Sequence, residues 1–181
     1  PLRLNNFYTT VVKGNMNEWA LSRAHKDYLY GTHNLGNMSF SQQGNQFNGF
    51  YAAENMIWTA LDNPDMSGAG NMSYWFYDCP LFNGDLSKWD VSGVTSMDGL
   101  FIYTQSFNNN SITKWVTNSL ESLRYSFEDA AVFNQDLSWN TSNVTDMEGT
   151  FVDANDFNAG PSLNHISPRF EQWNTSKVNI M

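Results

Sequence analysis

The sequence predicts an α/β stack of short repeating units, each a short helix followed by a brief strand. Three observations carry that prediction. First, four columns of residues stay in phase along the chain. A Met-type position is filled by Met72, Met97, Leu123, Met147 and Met181, in steps of 25, 26, 24 and 34 residues. Phe76, Phe101, Phe127 and Phe151 form the second column, and the pairs Phe82-Asn83, Phe107-Asn108, Phe133-Asn134 and Phe157-Asn158 the third. Trp89, Trp115, Trp139 and Trp173 form the fourth. Such a fixed period is the mark of a repeat architecture, in which each unit buries its apolar face only against a neighbour.

The second observation concerns the helix. Ser67, Ser92, Asn118, Ser142 and Ser176 each stand five residues before a Met-type position. All are residue types whose side-chain oxygen caps the free N–H groups of a helix start. Val94, Met97 and Phe101 then fall at i, i+3 and i+7, one face of a helix, as do Leu120, Leu123 and Phe127, and Val144, Met147 and Phe151. Glu121 follows Asn118 by three, the spacing of a capping box. The third observation is the other half of the unit, in which Phe-Asn is followed by Leu86, Ile112 or Leu137 and then Trp. This half is short and lacks helical spacing, so it reads as a brief strand stacked in parallel on its counterpart in the next unit.

Further columns fit the same scheme. Small residues, Cys79, Thr104, Ala130 and Ala154, recur seven positions after the Met column and would let neighbouring units approach closely. The Asn of each Phe-Asn pair is expected to turn inward and bond free backbone groups. Residues 1–36 are expected to form an N-terminal helical cap, because 11–31 place Met16, Trp19, Ala20 and Tyr28 on a plausible amphipathic face that Gly31 would end. Residues 37–181 are expected to form the repeat array. It comprises a degenerate first unit at 37–69, with Phe47-Asn48 and Trp58 in the usual roles, clear units at 70–181, and a Pro- and Gly-containing insertion at 159–172. The chain opens on Pro1 and stops within a motif at Met181, which reads as a piece of a longer protein.

Composition narrows the function classes. Of 181 residues, 15% are aromatic and only 15% are charged, and the net charge is −9. A chain this acidic repels phosphate backbones and anionic membranes, and no basic cluster offsets the repulsion. No apolar run approaches the length of a membrane span and no secretory signal is visible. Cys79, the only cysteine, excludes an internal disulfide and a multi-cysteine metal site. A surface solubilised by Asn, Ser and Thr suits an exported or cell-surface protein.

No residue set announces a reaction. His25, His33 and His165 are not at ligand spacing, and there is no HExxH, GxSxG or phosphate-binding loop. The expectation is therefore a non-enzyme with no catalytic residues, no metal and no cofactor. Asp85, Asp90, Asp136 and Asp146 recur near the Leu-Ser-Trp stretch, but Asp85 becomes Asn110 and Asp90 becomes Val116 in the next unit, which describes a solvated face rather than a calcium ladder. The periodic Trp residues read as core, leaving Tyr74, Trp75, Tyr77 and Tyr103, which lie off the columns, as candidates for an exposed partner-binding patch. Glycosylation triplets occur at Asn37, Asn71, Asn109, Asn140, Asn143 and Asn174.

The stretches FNGDLSKWDVSGVTSMDGLF (82–101) and FNQDLSWNTSNVTDMEGTF (133–151) resemble the BspA-type leucine-rich repeat of bacterial and protist surface proteins. The second stretch lacks one residue between Leu and Trp, and residues 111–123 depart from the usual S-x-V-T-x-M. The resemblance implies a right-handed parallel solenoid of leucine-rich-repeat type and an extracellular or cell-surface adhesion role, with a protein or glycan as partner. The alternative is a structural bracing subunit within a larger assembly.

Overall fold

The computed structural model describes residues 31–32, 49–58, 64–66, 68–157 and 172–181. The expected helical cap lies outside these residues, except that Gly31 is extended. Gly31–Thr32 (β1) pairs in parallel with Ile57–Trp58 (β2), in the register Gly31 to Ile57 and Thr32 to Trp58. Phe47-Asn48, the three histidines, and all of the 159–172 insertion but Gln172 also lie outside.

The units stack, but not as an α/β solenoid of leucine-rich-repeat type. Among the described residues there is no α-helix, and the only strands are the two-residue segments β1 and β2. Neighbouring units are joined instead by a line of single-residue parallel bridges, Asn71 to Ser96, Ser96 to Ser122, Ser122 to Asp146 and Asp146 to Ile180. These bridges sit where the helix was expected. The Phe-Asn to Trp half, expected as a strand, is irregular, with one 3-10 turn at Asn110–Ile112.

The backbone hydrogen bonds explain the difference. After each Met-type residue the chain forms a ribbon of overlapping turns. In one unit Leu100 N–H donates to Met97, Ile102 to Gly99 and Thr104 to Phe101, each within the unit. The intervening residues donate outward. Met97 N–H bonds Ser122 of the next unit, Gly99 bonds Arg124, Phe101 bonds Ser126 and Tyr103 bonds Glu128. Met72–Asp78 and Leu123–Asp129 repeat this outward set. An α-helix needs every N–H for its own i−4 carbonyl; here every second one is committed to a neighbour. Left-handed residues at Tyr74, Gly99, Tyr125 and Gly149, and again at Asp78, Tyr103, Asp129 and Asp153, also interrupt any helix. Positive φ at the third residue of a four-residue turn is the requirement of a type II turn. Apolar residues three apart thus arise from turns rather than from a helical period.

The expected caps are revised in the same way. Ser92, Ser142 and Ser176 do not cap helices. Their own N–H groups donate to Oδ1 of Asp90 (3.0 Å), Asn140 (3.0 Å) and Asn174 (3.0 Å), two residues back. Each is an Asx turn, after which Val94 closes on Val91, Val144 on Thr141 and Val178 on Thr175. The Asn of Phe-Asn does not turn inward. Asn83 and Asn108 are exposed, and their Oδ1 atoms accept the N–H of Asn108 (3.0 Å) and Asn134 (2.9 Å), one unit on.

The core is a pair of aromatic columns. Phe76, Phe101, Phe127 and Phe151 stack at 5.5, 5.4 and 5.3 Å between ring centroids. Phe82, Phe107, Phe133 and Phe157 stack beside them at 5.5, 5.8 and 5.8 Å. Within each unit the two rings pair at 3.9–4.3 Å. Offset stacking adds about 0.5–1.5 kcal/mol per pair beyond simple burial. The Trp column flanks this core. Indole N–H groups of Trp115, Trp139 and Trp173 donate to the carbonyls of Leu86 (3.2 Å), Ile112 (2.7 Å) and Leu137 (2.9 Å) of the preceding unit. Cys79, Thr104, Ala130 and Ala154 are buried, and the Cys79 thiol donates to the Phe50 carbonyl at 3.1 Å.

Replacing Phe101 by Ala removes a ring shared by two columns and is expected to lower stability by about 3–5 kcal/mol in urea unfolding. Gly99→Ala imposes a Cβ at φ +59 and 2.5 Å from the Tyr74 ring, with an expected loss of about 1–2 kcal/mol. Pairing it with Tyr74→Ala relieves the ring contact and is expected to leave only the backbone part, measured as a double-mutant cycle.

Candidate functional site

The outer edge of the turn ribbon carries the sequence-predicted tyrosines. Ala52 N–H donates to Tyr77 O, Asp78 to Ile102, Tyr103 to Glu128 and Asp129 to Val152. These bonds set two adjacent columns across five units. One contains Tyr51, Tyr77, Ile102, Glu128 and Val152; the other contains Ala52, Asp78, Tyr103, Asp129 and Asp153. All five residues of the second column have left-handed backbone. Asp tolerates that conformation, because its short side chain can bond locally, whereas Tyr and Ala meet the full Cβ clash.

The structure brings three of the four predicted patch residues together. Tyr77 stacks on Tyr51 at 4.4 Å and 6° between planes, and meets Tyr103 edge-on at 5.6 Å and Tyr74 at 6.1 Å. Tyr74 and Tyr103 are 40% and 36% exposed. Trp75 is not part of the patch. At 1% exposed it packs edge-on against Trp89 in the core. Tyr51 is the member that sequence reasoning missed. It lies in the weakly matched first unit, where the only usable signal was its 26-residue offset from Tyr77.

Tyr74 belongs to a second ladder in which Tyr and Gly alternate. Tyr74, Gly99, Tyr125 and Gly149 occupy equivalent left-handed positions, and each tyrosine ring lies over the glycine of the following unit. Tyr125 is further held by its hydroxyl, which donates to Glu148 Oε1 at 2.7 Å, and by the Arg124 guanidinium 5.2 Å from its ring centroid. Arg124 also pairs with Glu148 at 2.6 Å.

Electrostatics along the edge are one-sided. Burial, then the neighbouring Tyr51 and Tyr103, raise the Tyr77 hydroxyl above its ordinary pKa. Burial, then Asp129 and Asp153, raise the Glu128 carboxyl. Asp85 and Asp90 behave oppositely. Their carboxylates accept hydrogen bonds from Ser87 and Ser92, which hold both below the usual carboxylate range. Asp85 and Asp90, like Asp136, are exposed, and among the described residues no group of three His, Cys, Asp or Glu side chains is placed to hold a metal ion.

Turn chemistry also accounts for most of the glycosylation triplets. The Oδ1 atoms of Asn71, Asn109, Asn140 and Asn174 accept the N–H of Ser73 (2.7 Å), Ser111 (2.9 Å), Ser142 (3.0 Å) and Ser176 (3.0 Å). The same bond is made by Asp85 to Ser87 and by Asp146 to Glu148, where no triplet exists. The N-x-S pattern here is therefore an Asx-turn pattern. Asn143 bonds Asn118 O (2.9 Å) and Lys177 Nζ (2.8 Å), and Asn37 lies outside the described residues.

A family model described as "Mycoplasma protein of unknown function, DUF285" matches residues 44–165. No curated protein and no solved structure matches the chain. The resemblance to BspA-type leucine-rich repeats drawn from residues 82–101 and 133–151 is thereby corrected: the repeats are those of a different family. The shared order of Phe, Leu, Trp, Val and Met reflects a common need for apolar rungs, and such rungs do not by themselves distinguish families.

The raised Tyr77 pKa yields a prediction. A group whose folded pKa exceeds its unfolded value stabilises fully below the unfolded value and loses that contribution as pH rises through the folded one. Ultraviolet titration is expected to show the Tyr77 ionisation displaced to higher pH, with its contribution to stability falling above about pH 10. Tyr77→Phe is expected to remove that late step and flatten the alkaline fall in stability.

Proposed function

We propose an interaction-scaffold role for this chain, which belongs to the Mycoplasma family of unknown function DUF285. The scaffold binds a protein or glycan partner through its repeat edge, at a cell surface or in an extracellular setting, and does so without catalysis. One observation supports this above the rest. Tyr74 and Tyr103 hold exposed rings on left-handed backbone, in columns that other units fill with Gly99, Tyr125 and Gly149 or with Ala52, Asp78, Asp129 and Asp153. A bulky residue there costs on the order of 1–2 kcal/mol, and strain of this kind concentrates where a side chain is needed for recognition. Exposed tyrosines are suited to that task, since they present large contact area at low entropic cost together with a polar hydroxyl.

The sparse charge and the Asn-, Ser- and Thr-rich surface support the extracellular part of the proposal. No helix of the described residues is long and apolar enough to cross a membrane. Bracing within a larger assembly is the second reading, supported by the unbroken Phe columns. It predicts that the tyrosine edge is buried against other chains, whereas an adhesion scaffold keeps it open.

Substituting the residues that other units use separates recognition from folding. Tyr74→Gly with Tyr103→Asp is expected to leave thermal stability within about 1 kcal/mol of the parent. Retention of a surface protein or glycan in a broad binding screen is expected to fall at least severalfold. A large loss of stability with unchanged retention would instead make the tyrosines purely structural.

A further inference from the structure

We infer that the outer edge of the turn ribbon, from Tyr51 through Tyr77 and Tyr103 to Glu128, Asp129 and Asp153, docks an extended Arg- or Lys-rich segment of a protein partner. The inference rests on the scaffold reading and gives it a ligand chemistry.

The edge has two halves. In the first, Tyr51, Tyr77, Tyr74 and Tyr103 form one contiguous aromatic cluster. In the second, the bonds from Tyr103 N–H to Glu128 and from Asp129 N–H to Val152 set Glu128, Asp129 and Asp153 in adjacent columns; burial, then the two aspartates, raise the Glu128 pKa. Within the ribbon segments 73–78, 98–103, 124–129 and 148–153 the single basic residue is Arg124, and it is already engaged by Glu148 at 2.6 Å. Asp78 adds a further carboxylate beside the tyrosines, in the same column as Asp129 and Asp153. The edge thus gathers carboxylates that repel one another next to ring systems whose faces attract cations.

That combination favours a cationic side chain over other ligands. A metal ion needs a compact ligand set, and among the described residues no group of three suitable side chains provides one. A guanidinium can pair with a carboxylate and lie against a tyrosine at once. Units repeat every 5.3–5.5 Å along the adjacent Phe column, and same-face side chains of an extended peptide are roughly 6.6 Å apart. The two spacings differ by about 1 Å per unit, so a basic strand laid along the edge keeps step with it over two or three units.

The test uses the whole chain and oligoarginine as probe, with oligoglutamine of equal length as control, followed by fluorescence anisotropy. Because the chain carries a net charge of −9, non-specific attraction must be separated from docking. Glu128→Gln/Asp129→Asn/Asp153→Asn removes three charges at the edge, and Asn tolerates the left-handed backbone at 129 and 153. Asp85→Asn/Asp90→Asn/Asp136→Asn removes three elsewhere and keeps the Asx turns at 85 and 90. Binding of oligoarginine weakened about tenfold by the first set, and by Tyr77→Ala, but little changed by the second is the expected result. Equal weakening by both charge sets overturns the inference, as does binding indifferent to Tyr77→Ala. If oligoarginine does not bind while a neutral glycan or neutral peptide binds in a Tyr77-dependent manner, the inference falls and the scaffold reading stands. If no probe of any class is retained, both fall.

Discussion

Alternate backbone N–H groups of the turn ribbon donate to the next unit, and the ring columns and the tyrosine edge depend on that arrangement. Met97, Gly99, Phe101 and Tyr103 donate forward to Ser122, Arg124, Ser126 and Glu128, while the residues between them close turns within their own unit. Each unit is therefore hydrogen-bonded both through its own turns and through its neighbours. The ring columns follow directly. With the backbone held in register, Phe76, Phe101, Phe127 and Phe151 have little choice but to lie one above another, and their burial reinforces the same register.

The same constraint creates the surface that the scaffold reading uses. The turns with left-handed residues leave Tyr74 exposed while Trp75 is buried. In one column of left-handed positions Tyr74 and Tyr125 alternate with Gly99 and Gly149; in the other, Tyr103 stands among Asp78, Asp129 and Asp153. Polar side chains perform a parallel service on the other faces. Asn83 and Asn108 carry a ladder of backbone bonds across units, and Asp90, Asn140 and Asn174 close the turns after Trp89, Trp139 and Trp173. A surface poor in charge is the natural outcome when neutral amides do this work.

Membership of the DUF285 family assigns no activity, so function has to be argued from the edge itself. Among the described residues the tyrosine cluster and the neighbouring carboxylates stand out from the stack. Elsewhere Asn71, Asn109, Asn140 and Asn174, and with them Asp85, Asp90 and Asp146, close turns through their Oδ1 atoms.

By itself the sequence determined the period, the residues of the apolar columns and the absence of a recognisable catalytic motif, because a recurrence of Phe and Trp every 24–26 residues, lengthened once by an insertion, survives without knowledge of conformation. The burial of Phe101, Trp139 and Leu120 could be read the same way. What the tertiary structure decided was the local conformation and therefore the site. Val94, Met97 and Phe101 satisfy a helical spacing equally well when turns replace the helix, and the choice lay with hydrogen bonds to residues some 25 positions away, which no local pattern reports. Tyr51 joined the patch and Trp75 left it for the same reason: which side of the ribbon a residue occupies is set by its bonds to the neighbouring units, not by its place in the chain.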